Sequence, residues 1–219
     1  MTTQDQKPSA DVEVRPYSAT PVAVLRLPDA APLNARLAQT VRERMAATGS
    51  TDHSNRGGWQ SEWDFATWGG REGTALLSTA RQLADHLTCD RTGRPAKVQW
   101  VVNAWANVNG PDHGNEFHTH PGSYWSGAYY VDDGGAGTDP ALGGEFELQD
   151  PRGVAPAMYA PQLAVNVPGG LSIGASELIR PEAGTMLMFP AWLSHCVRPY
   201  RGTGERISIA FNFSLAQGG

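Results

Sequence analysis

NEFHTHPGSYWSGAYYV, Asn115 to Val131, decides how the chain is read, because it sets a histidine pair directly ahead of an aromatic and β-branched run. His118 and His120 are two residues apart, and on extended backbone a period of two puts Glu116, His118 and His120 on one face. Trp125 to Val131 reads as a strand in which Trp125, Gly127 and Tyr129 share one face and Tyr130 takes the other. An isolated His-x-His beside proline and glycine is as readily loop surface as a metal site. A distal segment, FPAWLSHCVRPYRGTGERISIAFNF (Phe189 to Phe213), shifts that balance by supplying His195, Arg206 and Ser208.

Upstream of the focal stretch, Val98 to Val108 alternates as a long strand. Trp100, Val102, Ala104, Ala106 and Val108 lie on one face, and Asn103, Trp105 and Asn107 on the other. Amides beside an indole belong to water or to a ligand cavity, since burying them without partners is costly. Further back, Leu33, Leu37, Val41 and Met45 predict a helix over Pro32 to Ala47, and Leu76, Leu77, Ala80, Leu83, Ala84 and Leu87 a second over Thr74 to Leu87. Between them Ser50 to Gly73 is a glycine-rich connection whose Trp59, Trp63 and Trp68 are costly to leave wet, so it is expected to fold back as pocket wall or satellite core. Residues 1–11 read as a polar tail, and Val12 to Leu27 as edge strands interrupted by Pro16 and Pro21.

Downstream, short strands are expected at Gly144 to Leu148, Leu163 to Val167, Leu171 to Arg180, Gly184 to Phe189 and Ile207 to Phe213. Helices first and strands afterwards predict a mainly β fold with flanking N-terminal helices, a double antiparallel sheet of jelly-roll or cupin type. The expected organisation is a tail at 1–11 and one domain over 12–219, with helical support at about 30–88 and a jelly-roll core at about 98–214. No βαβ rhythm is present and no glycine pattern opens a helix, which excludes Rossmann and P-loop readings.

Acidic residues outnumber basic ones, 22 to 17, for a formal charge of -5, so no basic face is available for nucleic acid. With no signal-peptide pattern and no long apolar run, the expectation is a cytoplasmic protein that does not engage a membrane; a homodimer is compatible with the sequence. Cys89 and Cys196 are too few for a disulfide framework, and Cys196 reads as a core thiol facing away from His195.

A mononuclear iron that activates oxygen needs protein ligands on one face and open positions on the other, usually two histidines and a carboxylate. His118 or His120 with His195 would supply the histidines. Arg206 and Ser208 share a face two residues apart, and an arginine fork beside a hydroxyl is a good receptor for a carboxylate. The bland alternative for Arg206 is a surface ion pair with Glu205 or a strand neighbour.

GGWQSE (Gly57–Glu62), AWAN (Ala104–Asn107), His118 to Val131, Phe189 to Pro199 and RISIAFN (Arg206–Asn212) together resemble the iron- and 2-oxoglutarate-dependent oxygenases, in particular a bacterial and phage branch. The resemblance spans residues 12–214 and implies a double-stranded β-helix with Fe(II) at its open mouth. It further implies His195 as the distal iron ligand, Arg206 and Ser208 as receptor for the distal carboxylate of 2-oxoglutarate (2OG), and O2 as co-substrate. Asn103 and Tyr129 are expected beside the cofactor, and Trp105, Asn107, Trp125, Trp59 and Trp63 around a small-molecule substrate. Where the superfamily has His-x-Asp or His-x-Glu, this chain has His118-Thr119-His120. Three ligand sets are therefore open: His118, His120 and His195 together; two histidines with an open position; or a set completed by Glu116. The implied reaction is C–H oxidation, foremost hydroxylation, coupled to conversion of 2OG to succinate and CO2. Competing readings are a three-histidine cupin-type dioxygenase or metal hydrolase that needs no oxoacid, and a non-catalytic jelly-roll binding module.

Overall fold

Alternation in the second half of the chain is what builds the sheets. A computed structural model describes residues 19–153, 158–167, 170–172 and 176–216; the expected tail at 1–11 and the start of the Val12 to Leu27 segment lie outside them. In chain order the elements are β1 (Ala23–Arg26), α1 (Ala31–Ala47), β2 (Asn55–Arg56), β3 (Trp59–Gln60), α2 (Phe65–Trp68), α3 (Gly70–Leu87), β4 (Trp100–Asn109), β5 (Gly114–His118) and β6 (Trp125–Asp132). A 3-10 turn (Pro140–Leu142) leads to β7 (Phe146–Gln149), β8 (Val165–Val167), β9 (Gly170–Ser172), β10 (Ser176–Ile179), β11 (Thr185–Pro190), β12 (His195–Val197) and β13 (Arg206–Leu215).

The strands form a six-stranded sheet, β1-β11-β6-β13-β4-β3, and a five-stranded sheet, β10-β7-β12-β5-β2, with β8 and β9 as a separate hairpin. Every pairing between these strands is antiparallel. The expected architecture of two antiparallel sheets with N-terminal helices is what the chain forms.

The two faces of the large sheet bury different chemistry. On its helix side, Trp100, Ala104, Ala106 and Val108 of β4, Trp125, Tyr129 and Val131 of β6 and Ile207, Ile209, Phe211 and Phe213 of β13 join Leu37 and Val41 of α1 and Leu76, Ala80 and Ala84 of α3 in one core. The expected helical stripes are thus the helices' buried sides. Tyr130, Phe146, Leu148, Leu187, Phe189 and Leu193 form a second cluster. At roughly 2 kcal/mol per fully buried large apolar side chain, the helix-side core is the main stabilising mass.

The Ser50 to Gly73 connection folds back onto the domain, β2 pairing with β5 and β3 with β4, which pins it to both sheets. Two strand expectations are corrected here. β12 was absent from the expected strands, being only three residues long and held by β5 on one side and β7 on the other. The Leu171 to Arg180 strand divides into β9 and β10.

Gly127 lies at the centre of this packing. A Cβ there would overlap the Leu187 carbonyl and the Phe211 ring, so β6 passes its neighbours only without a side chain. Gly127→Ala is expected to lower stability by about 1–3 kcal/mol through overpacking, read as a lower urea midpoint at unchanged slope.

Candidate metal centre and its two cavities

His118 closes β5 and His195 opens β12, and the two residues are direct cross-strand partners. His120 follows in the turn, where its N–H donates to the Ala191 carbonyl at 2.9 Å and so ties it to the loop leading into β12. The ring centroids are 4.3 Å (His118 to His195), 4.9 Å (His118 to His120) and 5.1 Å (His120 to His195) apart. One ligand nitrogen from each ring lies within 4.8 Å of the others. Phe189 and Phe146 flank the His195 ring at 4.7 and 5.3 Å and exclude water from it.

Backbone carbonyls fix the tautomers of two rings. The Nδ1–H of His118 donates to the Glu116 carbonyl at 2.7 Å, and that of His195 to the Leu193 carbonyl at 2.8 Å. A carbonyl only accepts, so each Nε2 is left with a lone pair, as metal ligation requires. Burial pushes the His195 ring down to about 3, with His118 and His120 adding repulsion while the Leu193 bond opposes. It pushes His120 down to about 4, helped by His118, and lowers His118 against the Glu116 hydrogen bond. All three rings are therefore neutral near pH 7. A neutral, desolvated imidazole cluster in which His118 and His195 keep an Nε2 lone pair, that of His118 3.5 Å from Ser54 Oγ, fits a borderline transition metal such as Fe(II).

Glu116 does not join the cluster. Between the same two pairings β5 takes three residue steps, Asn115 to His118, where β12 takes two, His195 to Val197. This bulge breaks the period of two. Asn115 and His118 consequently line the inner cavity, while the Glu116 side chain is turned outward, 3.9 Å from Arg56.

Below the histidines an inner cavity of about 70 Å3 lies between the sheets. At about 10–15 Å3 per water it has room for several waters, or for a small dicarboxylate in their place. Arg206 enters it from the first position of β13, 6% exposed, with its Nε enclosed and without a hydrogen-bond partner. Glu205, the surface partner considered for it, pairs instead with Arg42 at 3.0 Å. The Arg206 guanidinium lies 5.8 Å from the Tyr200 ring centroid, and the chain passes it at Gly144, where φ is +72° and a Cβ would stand 2.9 Å from the guanidinium carbon. Burial works against the charge, while Tyr130, Asp133, Tyr200 and Glu145 support it. Ser208 and Tyr130 are register partners on the same cavity, and burial holds the Tyr130 hydroxyl up at about 12, a neutral donor. Guanidinium, hydroxyl and phenol are the kinds of donor that a carboxylate can accept from.

An outer cavity of about 560 Å3 opens on the other side of His118 and His120. Trp105 and Ser54 border both cavities, and the Trp105 ring is 5.8 Å from that of His120. Trp63, 51% exposed, stands at its mouth against Trp105.

Several expected neighbours occupy other places. Tyr129 is fully buried on the helix side, where its hydroxyl donates to Asn34 Oδ1 at 2.6 Å; the cavity-facing tyrosine is Tyr130. Alternation assigned the two faces of β6 correctly but cannot say which one meets the helices. Trp125 lies on that same helix side, its indole N–H bonded to Thr88 Oγ1 at 2.9 Å. Trp59 is also core, its indole N–H shared between the Thr48 and Gly49 carbonyls. Asn103 lines the outer cavity and not the carboxylate receptor, whereas Asn107 lines the inner one. The sequence reading missed Tyr130, Ser54 and Asn115. Ser54 and Asn115 sit at a paired edge between β2 and β5 that has no periodicity to reveal it.

Neutral, buried histidines make the metal-free fold acid-sensitive. Unfolded, these rings take up protons near the ordinary value of about 6.5. Folded, His120 and His195 resist until about 4 and about 3. Between these limits the unfolded chain binds more protons, so stability falls as pH falls. Thermal melts of metal-free protein from about pH 7 to about pH 5 are expected to show this decline, and His195→Leu to flatten it.

The fold is similar to that of a Pseudomonas putida prolyl-4-hydroxylase, with a TM-score of 0.64 and 17% identity over 91% of this chain and 95% of that one. It is also similar to the viral collagen prolyl hydroxylase of Paramecium Bursaria Chlorella virus-1 in its 2OG complex (TM-score 0.57, 12% identity, 89% and 96% of the two chains). HygX from Streptomyces hygroscopicus, with nickel and 2-oxoglutarate bound, gives a TM-score of 0.59 at 11% identity over 90% and 84%. No curated protein matches the chain in sequence. The model described as "Putative 2OG-Fe(II) oxygenase" matches residues 103–212, the segment that carries all three histidines, Arg206 and Ser208. The chain therefore belongs to the 2OG-Fe(II) oxygenases, the oxidoreductases that use non-haem iron.

Proposed function

We propose that this oxygenase holds Fe(II) on His118, His120 and His195 at the mouth of a double-stranded β-helix, binds 2OG in the inner cavity, and hydroxylates a C–H bond of a small molecule in the outer one. The observation that carries the reading is Arg206, a buried guanidinium with an unpartnered Nε beneath three converging imidazoles. A charge so placed is costly unless a ligand supplies the counter-ion. The distal carboxylate of 2OG would do so, with Ser208 and Tyr130 donating hydrogen bonds from either side.

Bound iron would supply the O2 activation that no protein side chain provides. The protein's own part is positional. Arg206, Ser208 and Tyr130 anchor one end of 2OG so that its oxoacid end reaches the histidines. The Glu116 and Leu193 carbonyls hold two imidazoles in their ligating tautomer. Phe146 and Phe189 keep water from His195. Overall, 2OG, O2 and a substrate C–H bond yield succinate, CO2 and the alcohol. Three neutral histidines add no charge, so the 2+ of iron and the 2- of 2OG would balance each other.

Anaerobic Fe(II) titration followed by succinate measurement tests the site. Arg206→Met is expected to raise the KM for 2OG about 30- to 100-fold, the loss of charge-assisted hydrogen bonds worth about 2–3 kcal/mol. His120→Ala is expected to weaken metal binding at least about tenfold, and His120→Asp to retain it, since a carboxylate serves the same coordination position. Unchanged affinity in His120→Ala would favour two histidines and an open position. Iron-loaded protein that consumed O2 without converting 2OG would favour the cupin-type reading.

A further inference from the structure

We infer that the outer cavity selects an uncharged, hydroxyl-rich ring, a saccharide-like substrate. This rests on the inner cavity being the 2OG site, which leaves the outer cavity to the molecule that is oxidised.

Gln60 of β3, Asn103 of β4 and Asn212 of β13 all line that cavity. Gln60 is 2% exposed, and among the described residues no side-chain hydrogen bond engages any of the three carboxamides. The Asn212 Oδ1 is enclosed without a partner. Asn103 and Asn212 are direct cross-strand partners, so two of the amides stand side by side. Each carboxamide offers donors and an acceptor, and leaving them unpaired in a filled cavity costs about 1–3 kcal/mol per group. A lactam or peptide bond would satisfy one of them and strand the others. Hydroxyls on successive ring carbons each donate and accept, and can serve all three.

The remaining walls agree with that occupant. Trp105 and Trp63 present indole faces at 6.3 Å between centroids, and His53 lies 5.0 Å beyond Trp63. Aromatic faces of this kind pack against the C–H face of a saturated ring. Among the described residues no lysine or arginine lines the cavity, and its one carboxylate, Glu116, faces Arg56. An anionic substrate would therefore find no counter-charge and one like charge. The volume, about 560 Å3, is in the range of small-molecule sites and exceeds a single hexose, which leaves room for a glycoside.

The test is ligand-observed saturation-transfer NMR on protein loaded with Zn(II) and 2OG, using methyl β-D-glucopyranoside and the matched methyl β-D-glucuronide, which differ only in a hydroxymethyl against a carboxylate. The glucoside is expected to bind at least about tenfold more tightly than the glucuronide. Gln60→Leu and Asn103→Leu are each expected to weaken it about threefold or more. Asn103 is exposed, so its variant remains informative if Gln60→Leu fails to fold. Equal or tighter binding of the glucuronide, or no glucoside binding while 2OG itself shows transfer, overturns the inference and leaves the proposed function standing. Absence of 2OG transfer overturns the proposed function instead.

Discussion

One antiparallel contact, His118 facing His195 between β5 and β12, governs the rest of the molecule. It joins the focal stretch to the far end of the chain, and the surrounding pairings follow from it: β12 takes β7 on its other edge, and β5 takes β2. The bulge beside the contact has two effects. It turns Glu116 outward and leaves the Glu116 carbonyl to accept from His118 Nδ1. A single irregularity thus removes a carboxylate from the cluster and fixes the tautomer of a histidine that remains.

Charge is the second constraint. Arg206 is buried at the base of the inner cavity, and the chain gives it room with Gly144 and support from Tyr200. Removing a guanidinium from water costs several kcal/mol, which the fold offsets in part through surrounding phenols and carboxylates. The histidines above it are the opposite case, held neutral by burial. A buried guanidinium beneath a neutral nitrogen cluster is complementary to an anion that is also a metal chelator.

Legibility in the sequence followed periodicity. β4 and β13 are long and alternate cleanly, so the sequence alone separates Trp100 from Asn107 on β4 and sets Ser208 on the face of Arg206 on β13; Trp100 is core, and Asn107, Arg206 and Ser208 line the inner cavity. The helical stripes of α1 and α3 were equally plain. What periodicity cannot supply is which face of a strand meets the helices, hence the exchange of Tyr129 for Tyr130. It also fails where one residue is inserted, as at Glu116, and where pairing is only two residues long, as at β2 and β3. Trp59, Trp63 and Trp68 looked alike as aromatic residues in one loop. Only pairing with β4 separates buried Trp59 from Trp63 at the cavity mouth.

In the proposed site one metal sits on three histidines with 2OG anchored below by Arg206. An anaerobic crystal structure with Fe(II) and 2OG tests it most directly. Iron is expected bonded to nitrogens of His118, His120 and His195, with the distal carboxylate of 2OG on the Arg206 guanidinium. Iron bound away from His195, or 2OG held without contact to Arg206, would contradict it.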